Sequence, residues 1–221
     1  MPLVDQLKQF SEPGNPEGVC LINSAITAHV LMSGPDSLHG KETLKLPLTT
    51  GEEEFELAKI KTGEADPAAT LDVNRLGGKE GAWTPAKEQT PEDNGRNMIT
   101  WLASSDAKAG VYVASVGGEE DDHYFNVVKT DEGQLYLMDS SQHNFIELRG
   151  PSDVNMAVKD GAEKVLFSKM YCDETMKLDY CGALHPDCKQ ALKAEVRRTV
   201  AQEVGMKPSV SSGTKAAVKV S

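Results

Sequence analysis

The chain has 221 residues, with 34 Asp and Glu against 23 Lys and Arg and a formal net charge of −11 at pH 7. That length buries one sizeable core, and the acidic balance excludes a surface built to hold a nucleic-acid backbone, whose affinity comes from Lys and Arg. The longest apolar stretch, residues 19–32, is interrupted by Asn23, Ser24, Thr27 and His29 and is too short for a bilayer, so no membrane span is expected.

The first residues, Met1-Pro2-Leu3-Val4-Asp5-Gln6-Leu7-Lys8, contain no basic segment followed by an apolar run. The expectation is therefore synthesis in the cytoplasm without a Sec-type signal, and export by a signal-independent secretion system into a target cell. A short helix is expected over 4–10, followed by the turn-rich run 11–18. Cys20 then opens an apolar helical pattern in which Leu21, Ile22, Ala25, Ile26, His29 and Val30 share the buried side until Gly34-Pro35 ends it. This is read as the central helix.

Residues 36–94 are rich in Gly, Pro and acids and are expected to be loops with short helices. Asn94 or Gly95 is expected to cap a helix running to about Ser105, with Met98, Ile99 and Leu102 on its apolar side. Short apolar or alternating runs follow at 110–116, 123–129, 134–139, 144–148 and 164–171, with Asp131-Glu132-Gly133 as a hairpin turn. The five runs predict one antiparallel sheet. A helix from Pro186 to about Val204 closes the fold, and the tail 206–221 is expected to be flexible. No internal repeat is present, so residues 1–205 are read as one domain of class α+β, with a Cys-bearing helix packed on a His- and Asp-bearing sheet.

Three residues stand out chemically. Cys20 sits at a helix start, where unpaired N–H groups and the positive end of the dipole favour a thiolate. His123 begins one strand and Asp139 ends the next, nine positions before and seven after Glu132, so both fall near the same end of a hairpin. A nucleophilic cysteine needs a base within hydrogen-bond reach and a group that orients the base, and these residues supply all three. Glu119-Glu120-Asp121-Asp122 beside His123 favours the imidazolium and a substrate with a basic segment. The oxyanion donors expected are the backbone N–H of Cys20 and the side chain of Asn15, ahead of Gln6 and Gln9.

Gly18-x-Cys20 opening a helix, a late His starting a strand, and an Asp sixteen residues beyond it followed by a polar turn and Phe145 resemble the papain-like cysteine proteases, specifically the bacterial effector branch (YopT/AvrPphB-like). The resemblance implies a papain-like fold. It gives Cys20 the role of nucleophile, His123 that of base and acid, Asp139 that of orienting the His, and Asn15 a place in the oxyanion hole. No cofactor is implied. The chain lacks the tryptophan that often follows the Cys, having Ala28, His29 and Val30 there.

The expected activity is hydrolysis of an amide, first a peptide bond of a protein substrate. A glutamine deamidase or cell-wall amidase on the same fold is the alternative. A non-catalytic binding or immunity protein is the rival from a different class. Cys172-x8-Cys181-x3-His185-x2-Cys188 matches no usual zinc spacing, so these are expected to be buried thiols or a disulfide formed after export, with no metal. His29 is read as a core histidine, and His39 and His143 as loop residues, with His143 a rival base near Asp139. Trp83 and Trp101 are read as packing residues.

Overall fold

The computed structural model describes residues 3, 20–35, 43–45, 54–56, 79–117 and 123–203, and the statements below concern those residues. The helix expected over 4–10, the loop with Asn15, His39, the acidic run 119–122 and the tail lie outside them. In chain order the elements are α1 (Cys20–Ser33), β1 (Thr43–Lys45), β2 (Glu54–Glu56), β3 (Lys79–Trp83), α2 (Pro91–Ala103), β4 (Gly110–Val116), β5 (His123–Lys129), β6 (Leu135–Asp139) and β7 (Asn144–Leu148). A 3-10 turn (Pro151–Asn155), β8 (Ala157–Asp160), β9 (Glu163–Leu166), α3 (Phe167–Tyr171), β10 (Lys177–Gly182) and α4 (Pro186–Glu203) follow.

The class is α+β, built on one six-stranded antiparallel sheet in the order β3-β10-β4-β5-β6-β7. Four of the five expected strands are its centre and one edge. The fifth run is not part of it: residues 163–166 pair with β8 in a separate hairpin, and the chain turns helical from Phe167. The remaining sheet positions go to β10 and β3. β10 was hidden because its two buried residues, Leu178 and Cys181, point to opposite faces of the sheet among polar neighbours, so it shows no apolar run or period-two pattern; a bulge follows between Tyr180 and Gly182. Among the described residues of the stretch expected to hold loops with short helices, 43–45, 54–56 and 79–83 are the strands β1, β2 and β3.

Side-chain alternation divides the core in two. Val111, Val113, Val128, Tyr136 and Met138 face α1 and α4, meeting Ala25, Ala28, Leu31, Cys188 and Leu192. Tyr112, Ala114, Phe125, Val127, Leu135 and Leu137 face the other way, against Met98, Ile99 and Leu102 of α2 and Phe167 and Tyr171 of α3. α1 packs with a polar seam as well as an apolar one. Ser24 Oγ donates to Asn126 Oδ1 and Asn126 Nδ2 returns a bond to Ser24 O, both at 3.2 Å. Thr27 Oγ1 lies 3.0 Å from Ser140 Oγ, and Asn23 Nδ2 donates to Ser141 Oγ at 3.3 Å. Bonds buried this way have partners at one position only, so they fix where α1 begins relative to the ends of β5 and β6.

At its far end α1 stops on Gly34, whose N–H donates to Val30 O at 2.8 Å with φ 104, a left-handed conformation suited to glycine. α4 is held to the β5–β6 turn by Lys189, whose Nζ lies 2.5 Å from Asp131 and 2.6 Å from Glu132, and by Lys193, 3.1 Å from Glu132. Among the described residues no helix is long and apolar enough to cross a membrane.

α2 begins earlier than expected. Thr90 is the N-cap, its Oγ1 accepting from Asp93 N–H at 3.2 Å, and Pro91 occupies the first turn. Asn94 and Gly95 face the core instead: Asn94 Nδ2 donates to Asp173 O at 3.0 Å, and a Cβ on Gly95 would lie 2.8 Å from Cys172 Sγ and 2.9 Å from Val154 Cγ1. Helix propensity favours Ala over Gly by about 1 kcal/mol, whereas overpacking a filled site costs about 1–3 kcal/mol. Gly95→Ala is therefore expected to lower the urea midpoint at unchanged slope, and Cys172→Ala in the same chain to restore part of the loss; an increase in the single variant would show that the contact yields.

Candidate active site

β5 pairs with β6 from Lys129↔Leu135 to Asn126↔Met138. One further step sets Phe125 opposite Asp139, so His123 is the diagonal neighbour of Asp139 on the same face, within reach without any bulge. His123 Nε2 lies 2.7 Å from Asp139 Oδ2. Asp139 has no exposed side chain, and a buried carboxylate has to be met by donors. Its Oδ1 accepts the backbone N–H of Gln142 at 3.1 Å, and its Oδ2 also accepts the hydroxyl of Tyr171 at 2.8 Å.

Cys20 is the first residue of α1 and is partly exposed. Its side chain is hydrogen-bonded to His123. With Nε2 engaged by Asp139, Nδ1 is the ring nitrogen left for the thiol. Although α1 lies on one face of the sheet while His123 and Asp139 belong to the other, helix start and strand start meet at the same end. The imidazole has aromatic neighbours in Phe125 and Tyr171, each with its ring centroid 6.1 Å away. The structure thus brings Cys20, His123 and Asp139 together. Asn15, Gln6 and Gln9 lie outside the described residues.

Burial by itself would lower the basicity of His123, since it disfavours the charged ring. The hydrogen bonds to Asp139 and Cys20, together with the charges of both, outweigh it and raise the imidazole to about 10. The ring is then an imidazolium across the neutral range.

The other cysteines differ. Cys172 packs under α2 on one face of the sheet, while Cys181 and Cys188 lie in the core on the opposite face, so the three do not form one cluster. All are free and buried. Burial pushes Cys181 and Cys188 up to about 12 and Cys172 higher still, which leaves them as inert thiols. Among the described residues no group of His, Cys, Asp and Glu is gathered as a metal site would be. His143 sits in the turn after β6 with φ 55, and the imidazole hydrogen-bonded to Asp139 is that of His123. Trp83 and Trp101 belong to an aromatic row with Tyr112 on the α2 side of the sheet.

Sequence reasoning missed Tyr171 and Asn144. Tyr171 was read as the end of a strand, and its place in the one-turn helix α3 is what aims its hydroxyl at Asp139. Asn144 opens β7, and its Nδ2 donates to Tyr171 Oη at 2.7 Å. Asn144 stands opposite Asp139 across the β6–β7 hairpin, but both bonds that matter involve Tyr171, 32 positions from Asp139 and 27 from Asn144, and no local pattern marks those. No family model, curated protein or solved structure matches the chain.

His123 has an ordinary value of 6.5 when exposed in an unfolded chain and about 10 here. Its bonds thus contribute stability fully below pH 6.5, and that contribution fades as pH rises through 10. The stability gap between the wild type and His123→Gln, from urea midpoints, is expected to be wide at pH 6 and to narrow at pH 10.5. A gap that does not change with pH would contradict the protonated ring.

Proposed function

We propose that the chain is a cysteine-nucleophile amide hydrolase of papain-like arrangement. The observation that supports this most is a single imidazole hydrogen-bonded to a buried carboxylate through Nε2 and to a thiol at a helix start on its other side. Cys20 Sγ attacks the carbonyl carbon of the amide, and the developing oxyanion lies near the backbone N–H of Cys20. As the first residue of α1, Cys20 stands at the positive end of that helix, which favours negative charge developing beside it. His123 Nδ1–H gives its proton to the leaving nitrogen as the C–N bond breaks, leaving a thioester on Cys20. Water then gives a proton to Nδ1 and its oxygen to the carbonyl carbon, and the acid leaves as Cys20 is regenerated. Asp139 keeps Nε2–H in place throughout.

Cleavage of a peptide bond and deamidation of a Gln side chain share these steps and differ in which amide reaches Cys20. Peptide-bond cleavage in a protein substrate is the first choice, in line with the resemblance to the papain-like proteases. A non-catalytic binding protein would have no use for a thiol, an imidazole and a carboxylate joined in series.

Two measurements test the reading. A thiol-directed probe at mildly acidic pH is expected to modify Cys20 ahead of Cys172, Cys181 and Cys188, and His123→Ala to abolish the preference; equal modification of all four in folded protein would remove the enzymatic reading. Mass spectrometry of candidate substrates incubated with the wild type and with Cys20→Ala separates backbone cleavage from the small mass gain of deamidation. Product is expected with the wild type only, and His123→Ala is expected to lose about 10²–10⁴-fold in rate.

A further inference from the structure

The hydrogen bonds behind Asp139 run in one direction, and a backbone amide sets that direction. Lys159 N–H can only donate, and it donates to Asn144 Oδ1 at 3.1 Å, which fixes the amide orientation of Asn144. Asn144 Nδ2 then donates to Lys159 O at 2.8 Å and to Tyr171 Oη at 2.7 Å. With a donor already on its oxygen, Tyr171 turns its own hydrogen toward Asp139 Oδ2, 2.8 Å away. Tyr171 is fully buried and Asn144 nearly so.

We propose that Tyr171 is a positioning residue for the Cys20–His123 pair, and that Asn144, oriented by the backbone of Lys159, makes Tyr171 a permanent donor to Asp139. This rests on the nucleophile–base reading given above. With Gln142 N–H on Oδ1 and Tyr171 O–H on Oδ2, the carboxylate plane is held at both oxygens, and the remaining acceptor direction of Oδ2 points at His123 Nε2. Burial first, and then the negative charge of Asp139, push the Tyr171 phenol well above its usual range, so it keeps its hydrogen. The ionisable groups acting at this point are His123 from β5, Cys20 from α1, Tyr171 from α3 and Asp160 from β8, the last adding to the field that keeps Tyr171 neutral. The β8–β9 hairpin, which is outside the main sheet, therefore has a part in the site through the backbone N–H and C=O of one residue, Lys159.

Tyr171→Phe removes the hydroxyl and keeps the ring, whose centroid lies 4.7 Å from that of Phe125 and 5.2 Å from that of Phe167. A buried carboxylate that loses one of its donors is free to rotate, which loosens its hold on Nε2 and weakens the imidazolium on which alkylation of Cys20 at the acid end of the pH range depends. The test is the rate of Cys20 alkylation by iodoacetamide against pH. In Tyr171→Phe the acid limb is expected to move up by about one pH unit, so the rate on that limb falls about tenfold while the plateau stays within about twofold of wild type. Asn144→Asp, which cannot donate to Tyr171 and instead accepts its hydroxyl, is expected to move the limb the same way. A Tyr171→Phe profile that superimposes on the wild type, or one that is lower by the same factor at every pH, overturns the proposal; the second result is what a merely structural role would give. His123→Ala in the same series separates the two readings: if it leaves the wild-type profile unchanged, the nucleophile–base reading itself fails, whatever Tyr171→Phe does.

Discussion

A carboxylate with no contact to water is the constraint on which this site depends. A buried carboxyl group is costly unless its oxygens are met by donors, and the three donors of Asp139 come from three parts of the chain: His123 on β5, Gln142 in the turn after β6, and Tyr171 on α3. Meeting that demand orients the imidazole. Because Nε2 is spent on Asp139, the other nitrogen serves Cys20, and the same bond that satisfies the carboxylate raises His123 against the lowering effect of its own burial.

The second requirement is to place the thiol. Most described side chains of α1 are buried, and apolar packing alone would allow the helix to slide or turn against the sheet. The paired bonds of Ser24 with Asn126, and of Thr27 with Ser140, remove that freedom and put the first residue of α1 at the end of β5 where His123 stands. The two halves of the site thus come from opposite faces of one sheet and join at its end. Buried polar groups spent this way contribute less to net stability than to choosing one arrangement over its neighbours.

The parts of this arrangement that were legible in the sequence are those governed by local pattern. Four strands seen as short apolar or alternating runs, a turn at Asp131-Glu132-Gly133, a helix from Cys20 ended by Gly34 and a helix from Pro186 are local signals, and the structure has them. Where local signals competed, the reading went wrong. Asn94 and Gly95 look like a cap, yet both are turned into the core by contacts with Asp173, Cys172 and Val154, and the Thr90-Pro91 start was the stronger signal. β10 went unseen because its two buried residues, Leu178 and Cys181, face opposite cores and leave no one-faced apolar pattern. His123 and Asp139 could be paired from the sequence because one hairpin joins them. Tyr171 could not, since only the tertiary path of the chain past β8 and β9 brings it to that carboxylate; Asn144 stands opposite Asp139 through the β6–β7 hairpin, but its bond to Tyr171 depends on the same path.

The central claim is that Cys20 and His123 act on each other as one unit held by Asp139. The most direct measurement follows the His123 imidazole by NMR through its titration, in the wild type and in Cys20→Ala. Since the hydrogen bond and charge of Cys20 are two of the causes that raise His123, the account predicts that the ring in Cys20→Ala gives up its proton at a distinctly lower pH than in the wild type, while Asp139 still holds it above its ordinary value of 6.5. Identical titration curves in the two proteins would show that thiol and imidazole do not interact, and would contradict it.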